Sequence, residues 1–266
     1  MAIESIINST YNDWELIIVD DGSTDRSVEI AREYQEKDPR IKVYQNEKNL
    51  GDYPNRNRAA QIATGKYLKY VDADDLVYSH GLEVMVNMME KFPKAGLGIG
   101  SLLADYHQIY PFQLTPEEAY KRHYFLTPIF HKSPLSVIIN REKFNRLGGF
   151  SGKRMVGDFE MWHRMGAQFP VVLLPHGLVW YRRHEEQEMT DYRKDRFIPF
   201  SYSIIEFQQL LSNKCPLTNQ DKKRALQKVK RRQIRNLLKN GLLQQSTYKM
   251  LKHSFLLNKE AYWPGI

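Results

Sequence analysis

Aspartates gather at two points in this sequence, each directly after a short apolar run. Asp20 and Asp21 follow Glu15–Val19 and precede Gly22-Ser23-Thr24-Asp25, and Asp72-Ala73-Asp74-Asp75 follows Tyr70-Val71. Neighbouring carboxylates repel, and a site that holds several together normally offsets this with a hard divalent cation. Mg2+ or Mn2+ carrying a phosphate ester suits that need. Any one of these aspartates also has a plainer reading as a turn or cap residue. Two clusters on one sheet edge are harder to read that way, because open α/β sheets bind ligands beyond the carboxyl ends of their strands.

The elements that must position them can be read from the apolar spacing. Glu15–Val19 reads as a buried strand, Ser27–Gln35 as the helix after it with Asp25 as N-cap, and Ile41–Gln45 as the next strand. A helix around Asn55–Ala63, a strand over Lys66–Val71, a helix over Tyr78–Phe92 and a strand over Gly96–Leu103 continue the alternation. That pattern predicts an α/β fold with an open, mixed, largely parallel sheet flanked by helices. Farther on, Thr115-Pro116-Glu117-Glu118 opens a helix, Leu135–Ile139 and Val171–Leu174 read as strands, and Gly157–Met165 and Ile198–Leu211 read as helices. Thr218-Asn-Gln-Asp221 has the spacing of a capping box.

Charge divides the chain. Of a net +8, all is carried by residues 221–240, with nine Lys/Arg against Asp221. A neutral body with one basic segment argues against a nucleic-acid binder. The expected division is therefore a domain over 1–215, with its halves at about 1–105 and 106–195, and a basic helical extension over 216–266. On a helical wheel Leu226, Val229, Ile234 and Leu237 gather opposite most of the cations, so the segment suits either an anionic membrane surface or packing of its apolar stripe onto the domain. Cys215 is the only cysteine, which excludes a disulfide framework within the chain. No apolar run exceeds four residues and Ala2–Asn8 has no basic leader, so a cytoplasmic protein is expected, peripheral on the inner face of a membrane if the basic segment binds there.

Taken in order, Trp14–Asp25, Asn49-Leu-Gly51 with Asn55–Ala60, Gly65–Asp75, Gly148-Gly-Phe150 with Gly157–Arg164, and Tyr181-Arg-Arg-His184 resemble a family 2 glycosyltransferase of the GT-A fold. The resemblance spans about residues 2–190. It implies an inverting, metal-dependent transfer of a sugar, with a UDP-sugar as the expected donor and a saccharide or lipid-linked acceptor, in synthesis of a bacterial surface polysaccharide. Asp20 or Asp21 would hold the nucleobase, with Arg56 and Asn57 supporting the base or its loop. Asp72 and Asp74 would form an Asp-x-Asp motif, with Asp74, Asp75 and His184 on the Mn2+ or Mg2+ and Arg182 and Arg183 near the diphosphate. Asp158 would be the catalytic base, in a position where the family usually has Glu-Asp and this chain has Gly157-Asp158. Trp162 would face an acceptor sugar, or else be core.

The resemblance also implies a departure. Its first apolar strand has no counterpart, since Met1–Ile7 matches the end of the helix that follows that strand. Unpaired edges on either side are expected. A truncated or non-catalytic relative that binds nucleotide or a partner protein is the alternative reading, and a phosphotransfer receiver module fits the Asp-x-Asp-Asp cluster poorly.

Overall fold

The computed structural model describes residues 1–103, 105, 107–184 and 198–239; the 185–195 end of the expected second half and the 240–266 end of the basic extension lie outside them. The first βαβ unit is β1 (Leu16–Asp20), α2 (Ser27–Lys37) and β2 (Ile41–Gln45), preceded by α1 (Ala2–Ile7) and followed by α3 (Asp52–Ile62). Next come β3 (Tyr67–Leu68), β4 (Leu76–Val77), α4 (Gly81–Glu90), β5 (Leu97–Leu102), β6 (Phe112–Leu114) and α5 (Pro116–Phe125). The chain continues through β7 (Val137–Asn140), α6 (Arg141–Arg146), α7 (Gly157–Gly166), β8 (Val171–Pro175), β9 (Val179–Trp180), α8 (Ile198–Leu211) and α9 (Asn219–Lys239).

Five strands form the central sheet in the order β3-β7-β5-β8-β6, with β5 and β8 parallel and the other neighbours antiparallel. Strand alternation divides its side chains cleanly. Leu97, Ile99, Val137, Ile139, Val171 and Leu173 enter the core shared with α5, α7, α8 and α9, whereas Ile138, Val172 and Leu174 meet Met85 and Met89 of α4. A Cβ on Gly98 would lie 2.7 Å from Met89 Sδ and from Ile138 Cγ2, so glycine lets α4 approach the sheet.

Two strand pairs, β1-β2 and β4-β9, lie outside this sheet. Among the described residues β1 pairs with β2 alone, in parallel register from Leu16 opposite Ile41 to Asp20 opposite Gln45, and β3, an edge of the central sheet, pairs with β7 alone. Every residue of β1 is half-buried, in contrast to the fully buried Val171–Leu174 of β8. Both runs are Ile/Val/Leu-rich; the number of neighbouring strands makes the difference. Among the described residues, β1 and β3 each have one hydrogen-bonded neighbour. Glu15 spans between their starts, its Oε1 accepting from Thr64 N and, at 2.9 Å, from Gly65 N.

Helix ends follow the local chemistry. Thr115 and Glu118 form a reciprocal capping box, and Asp221 N–H donates to Thr218 Oγ1 at 3.1 Å. The basic helix is not a loose appendage. Ala225 and Val229 are buried, and Lys228 Nζ donates to Tyr124 O at 2.8 Å. Arg232 pairs with the buried Glu206 of α8. Of the expected apolar stripe, Val229 and Leu226 pack onto the domain while Ile234 is 47% exposed, and Lys223, Arg224, Lys230, Arg231 and Arg235 are on the exposed side.

Candidate functional site

β1 and the turn after β3 each deliver one acidic cluster, and the N-terminal turn of α3 links them. At the end of β1 the two aspartates do different work. Asp20 accepts from Gly22 N (3.2 Å) and Ser23 N, closing its own turn. Asp21 holds the loop before α3 through Leu50 N and Gly51 N, each at 2.8 Å, and through Asn46 Nδ2. Asn46 also meets Asn55 Oδ1 at 2.8 Å, and Asn55 Nδ2 reaches Val19 O at 3.0 Å. Asn55 opens the Asn55–Ala60 motif without a role assigned from the sequence, and Asn46 did not stand out, because amides tying two strand ends to a helix leave no spacing signal.

Arg56 ties the start of α3 to the second cluster. Its Nε donates to Asp52 Oδ1 at 2.6 Å and its NH2 lies 2.8 Å from Asp72 Oδ1. Burial works against its charge, and Asp72 and Asp52 more than compensate, holding the guanidinium protonated. Asn57, its sequence neighbour, points elsewhere. Its amide donates to Phe150 O (2.8 Å) and accepts from Phe150 N (2.9 Å), clamping the Gly148-Gly-Phe150 loop. Gly149, at φ +70°, sits where a Cβ would strike Asn57 Oδ1 at 2.5 Å.

The acids after β3 diverge in direction. Asp74 Oδ2 lies 2.9 Å from His184 Nε2, and both residues are about one-third exposed. Asp75 turns inward, 2 % exposed, and accepts the Arg182 main-chain N–H at 3.0 Å. Burial, with Asp74 and Asp72 adding repulsion, pushes its carboxyl up to about 6. Of the three expected cation ligands, Asp74 and His184 are therefore together at the surface, and Asp75 anchors the β9 end behind them.

Asp158 opens α7. Its Oδ1 accepts from Phe159 N at 2.6 Å, and burial raises its carboxyl to about 6 against the opposing hydrogen bonds of Phe159 N–H and Tyr53. Asp52 and Arg56 also act on its ionisation, so the base candidate and the Asp-x-Asp motif share one charged helix start.

Trp162 is a core residue, which corrects the expectation of an acceptor platform. It is 0 % exposed and its indole N–H donates to Lys132 O at 2.7 Å. A sugar stacks only on a ring face that solvent can reach. Helix α7 has almost no such face, since Phe159–His163, Met165 and Gly166 are all buried between the sheet and its neighbouring helices.

A second polar cluster lies under α9. His123 Nε2 lies 3.8 Å from Glu206 Oε1, with His131 and His163 close by. His123, His131 and Glu206 place three donor atoms within 4.8 Å of one another, a spacing that a metal could use. Their hydrogen bonding argues otherwise. Phe130 N–H donates to His123 Nδ1 (3.1 Å), which puts the ring proton on Nε2, the atom that faces Glu206. Arg232 already neutralises the carboxylate. Burial drives His123 and His163 well below the usual imidazole range, so these two rings are neutral core groups, while His131 beside them is exposed.

A model of the Glycosyl transferase family 2 matches residues 1–160. The uncharacterized glycosyltransferase YibD of Escherichia coli K12 is 45% identical over 87 residues, 33% of this chain and 25% of that protein. The matched stretch likewise spans about a third of the similarly scoring relatives from Methanocaldococcus jannaschii and Haemophilus influenzae. Glycosyltransferase GlyG of Streptococcus pneumoniae serotype 4 is 25% identical over 236 residues, 83% of this chain and 77% of its own. Among solved structures, Staphylococcus aureus TarS 1-349 in complex with UDP-GlcNAc shares 18% identity at a TM-score of 0.66, covering 85% of this chain and 65% of TarS. The mannosyltransferase PcManGT of Pyrobaculum calidifontis, in complex with GDP-Man and Mn2+, shares 16% at 0.57, covering 98% and 76%.

Proposed function

Since the chain belongs to glycosyl transferase family 2, with the GT-A fold of its structural neighbours, we propose that it is an inverting, metal-dependent glycosyltransferase. The donor is a nucleotide-diphosphate sugar, with a UDP-sugar favoured by the TarS likeness, and the acceptor is a saccharide or a lipid-linked saccharide in surface polysaccharide synthesis. The observation that carries this reading is the meeting of Asp74 and His184, 110 residues apart in sequence, at 2.9 Å on an accessible edge.

A carboxylate oxygen and an imidazole nitrogen suit Mn2+ better than Mg2+, which prefers oxygen donors alone. Two protein donors leave most coordination positions to phosphate oxygens and water, as expected when the substrate completes the shell. When bound, the cation supplies positive charge against the departing nucleoside diphosphate. Asp72, oriented by Arg56, faces the same edge and suits the ribose side of the donor. Asp20, with a partly exposed carboxylate, is the better placed of the β1 pair to accept from a nucleobase N–H, since Asp21 is committed to the loop at 49–51.

Asp158 takes the proton from the acceptor hydroxyl as that oxygen attacks the anomeric carbon opposite the leaving group. A carboxyl near 6 is ionised at neutral pH yet basic enough to accept a proton in the transition state. The test is binding of UDP by the full chain with and without Mn2+, alongside hydrolysis of UDP-GlcNAc. Mn2+-dependent UDP binding with no turnover in any assay would favour the non-catalytic relative.

A further inference from the structure

Strand β5 leaves the regular sheet at its carboxyl end. Its pairing with β8 runs from Leu97 opposite Val171 to Ile99 opposite Leu173 and then slips, so that Leu102 meets Pro175 and the extra residue on β5 makes a bulge. Within it Ser101 has φ +56°, a left-handed backbone that few non-glycine residues adopt. Among the described residues Met155, just ahead of the helix that carries Asp158, is the other of this kind. Such positions persist where the surroundings over-determine them, and they gather at active sites and ligand clamps.

What holds Ser101 is the 132–136 strap that leads into β7. Ser136 Oγ donates to Ser101 Oγ at 3.0 Å, and Lys132 Nζ donates to Ser101 O at 2.8 Å. The strap is tied to both sides of the candidate site. Lys69, on the run that leads into Asp72, donates through Nζ to Leu135 O, and the Trp162 indole, one turn beyond Asp158, donates to Lys132 O. Lys132 is half-buried, and burial alone pulls its ammonium below the usual lysine range, with no carboxylate among the described residues acting on it. Of the donors that an ammonium carries, Lys132 spends one on Ser101 O, and the Ser101 hydroxyl proton has no acceptor among the described residues.

An unpaired positive charge beside a hydroxyl with a proton to give is the complement of a carboxylate. In an inverting displacement the transferred sugar lies between the departing diphosphate and the attacking hydroxyl, hence between the Asp-x-Asp side of the site and Asp158. The strap joins those two sides. We propose that Lys132, Ser101 and Ser136 form a subsite for a carboxylate on the transferred sugar, so that the donor is a UDP-uronic acid. The inference rests on the reading of the Asp74–His184 edge and Asp158 as the donor and base sites.

Two matched comparisons in the full chain with Mn2+ test it: UDP-glucuronate against UDP-glucose, and UDP-galacturonate against UDP-galactose, each measured as a Kd by calorimetry beside UDP itself. Within a pair the sugars differ only at C6. In at least one pair the uronate should bind about tenfold tighter than its neutral counterpart, the scale of one charge-assisted hydrogen bond. Lys132→Gln should reduce that preference to less than about twofold, with the loss falling on the uronate. Ser101→Gly, which relaxes the left-handed backbone as it removes the hydroxyl, should cut the preference about threefold without lowering the unfolding temperature. UDP bound in Mn2+ with no preference in either pair overturns the subsite and leaves the donor reading standing, whereas no Mn2+-dependent binding of UDP overturns both. A preference that persists in Lys132→Gln overturns the assignment to Lys132. Tighter binding of methyl β-glucuronide than of methyl β-glucoside to the chain loaded with UDP and Mn2+, with no preference among the nucleotide sugars, moves the carboxylate to the acceptor and overturns its assignment to the donor.

Discussion

The molecule holds two clusters of ionisable side chains that look alike in composition and differ in everything else. At the strand ends, Asp72, Asp74 and His184 are about one-third exposed. Beneath α9, His123, His163 and Glu206 are almost wholly buried, with Arg232 reaching in from the rim. An exposed carboxylate keeps its water and loses little when a cation or diphosphate displaces it. A buried one must be matched by the protein itself, because an uncompensated charge in the interior costs several kcal/mol. The first cluster is thus available for ligand and the second is committed to joining helices.

The largest expected effect tests the buried side. Arg232→Ala leaves Glu206 without its counter-charge and should lower stability by about 3 kcal/mol, toward the low end for a broken buried pair because Arg232 is 43% exposed. Thermal unfolding should show the loss, with Mn2+-dependent UDP binding intact at temperatures where the variant stays folded. A small shift would mean that the cluster does not hold α9. On the open side the pattern should reverse. Asp74→Ala should weaken UDP binding in Mn2+ about 100-fold, roughly 2.7 kcal/mol, with stability changed by less than about 0.5 kcal/mol, as for other exposed sites.

Asp158 lies between the two extremes, and its pH dependence has a definite sign. Its folded carboxyl, at about 6, lies above the ordinary value, so the folded chain holds this proton more tightly than the unfolded chain. The stability it contributes is therefore present at low pH and lost as pH rises from about 4 to about 6. Asp158→Asn escapes that loss and should be more stable than the parent by on the order of 2 kcal/mol above pH 7, with the gap closing toward pH 4. Urea unfolding at both pH values measures it, and an equal gap at both would refute the buried-charge account. Donor hydrolysis should fall in the parent as pH drops through 6.

The smallest effect concerns the exposed cations of α9. Reversing Arg231 and Arg235 to Glu should leave folding unchanged and weaken partitioning onto anionic vesicles, by about 1 kcal/mol per cation lost near the surface. Unchanged partitioning would leave the helix a purely structural element. Deleting it altogether cannot separate these roles, because Ala225, Val229 and Arg232 belong to the core and its ion pair.

Much of this was legible from residue order. β2 and α8 lie where the apolar spacing put them, and the strand before Asp20 and the Thr115 helix start are within a residue or so. Asp74 and His184 stood out by type and order, and the structure brings them together. What sequence spacing could not show was the partner of each polar side chain. Arg56 and Asn57 are neighbours, yet one turns to Asp72 and the other to Phe150, 93 residues away. Trp162 took the core one of its two readings, because α7 is buried on nearly all of its faces and not on one alone. The β4–β9 pairing escaped notice because two-residue strands have no period to detect.

The single-sided pairing of β1 has a consequence for motion. A strand that shares hydrogen bonds with one neighbour can part from the body together with that neighbour, so β1, α2 and β2 form a unit able to open at less free-energy cost than the whole chain. Amide deuterium uptake in Leu16–Val19 should then run ahead of uptake in Val171–Leu174 despite their similar residues. A nucleotide seated at Asp20 and Asp72 would bridge the unit to the five-stranded sheet and slow that exchange, making the ligand itself part of what holds this half of the molecule shut.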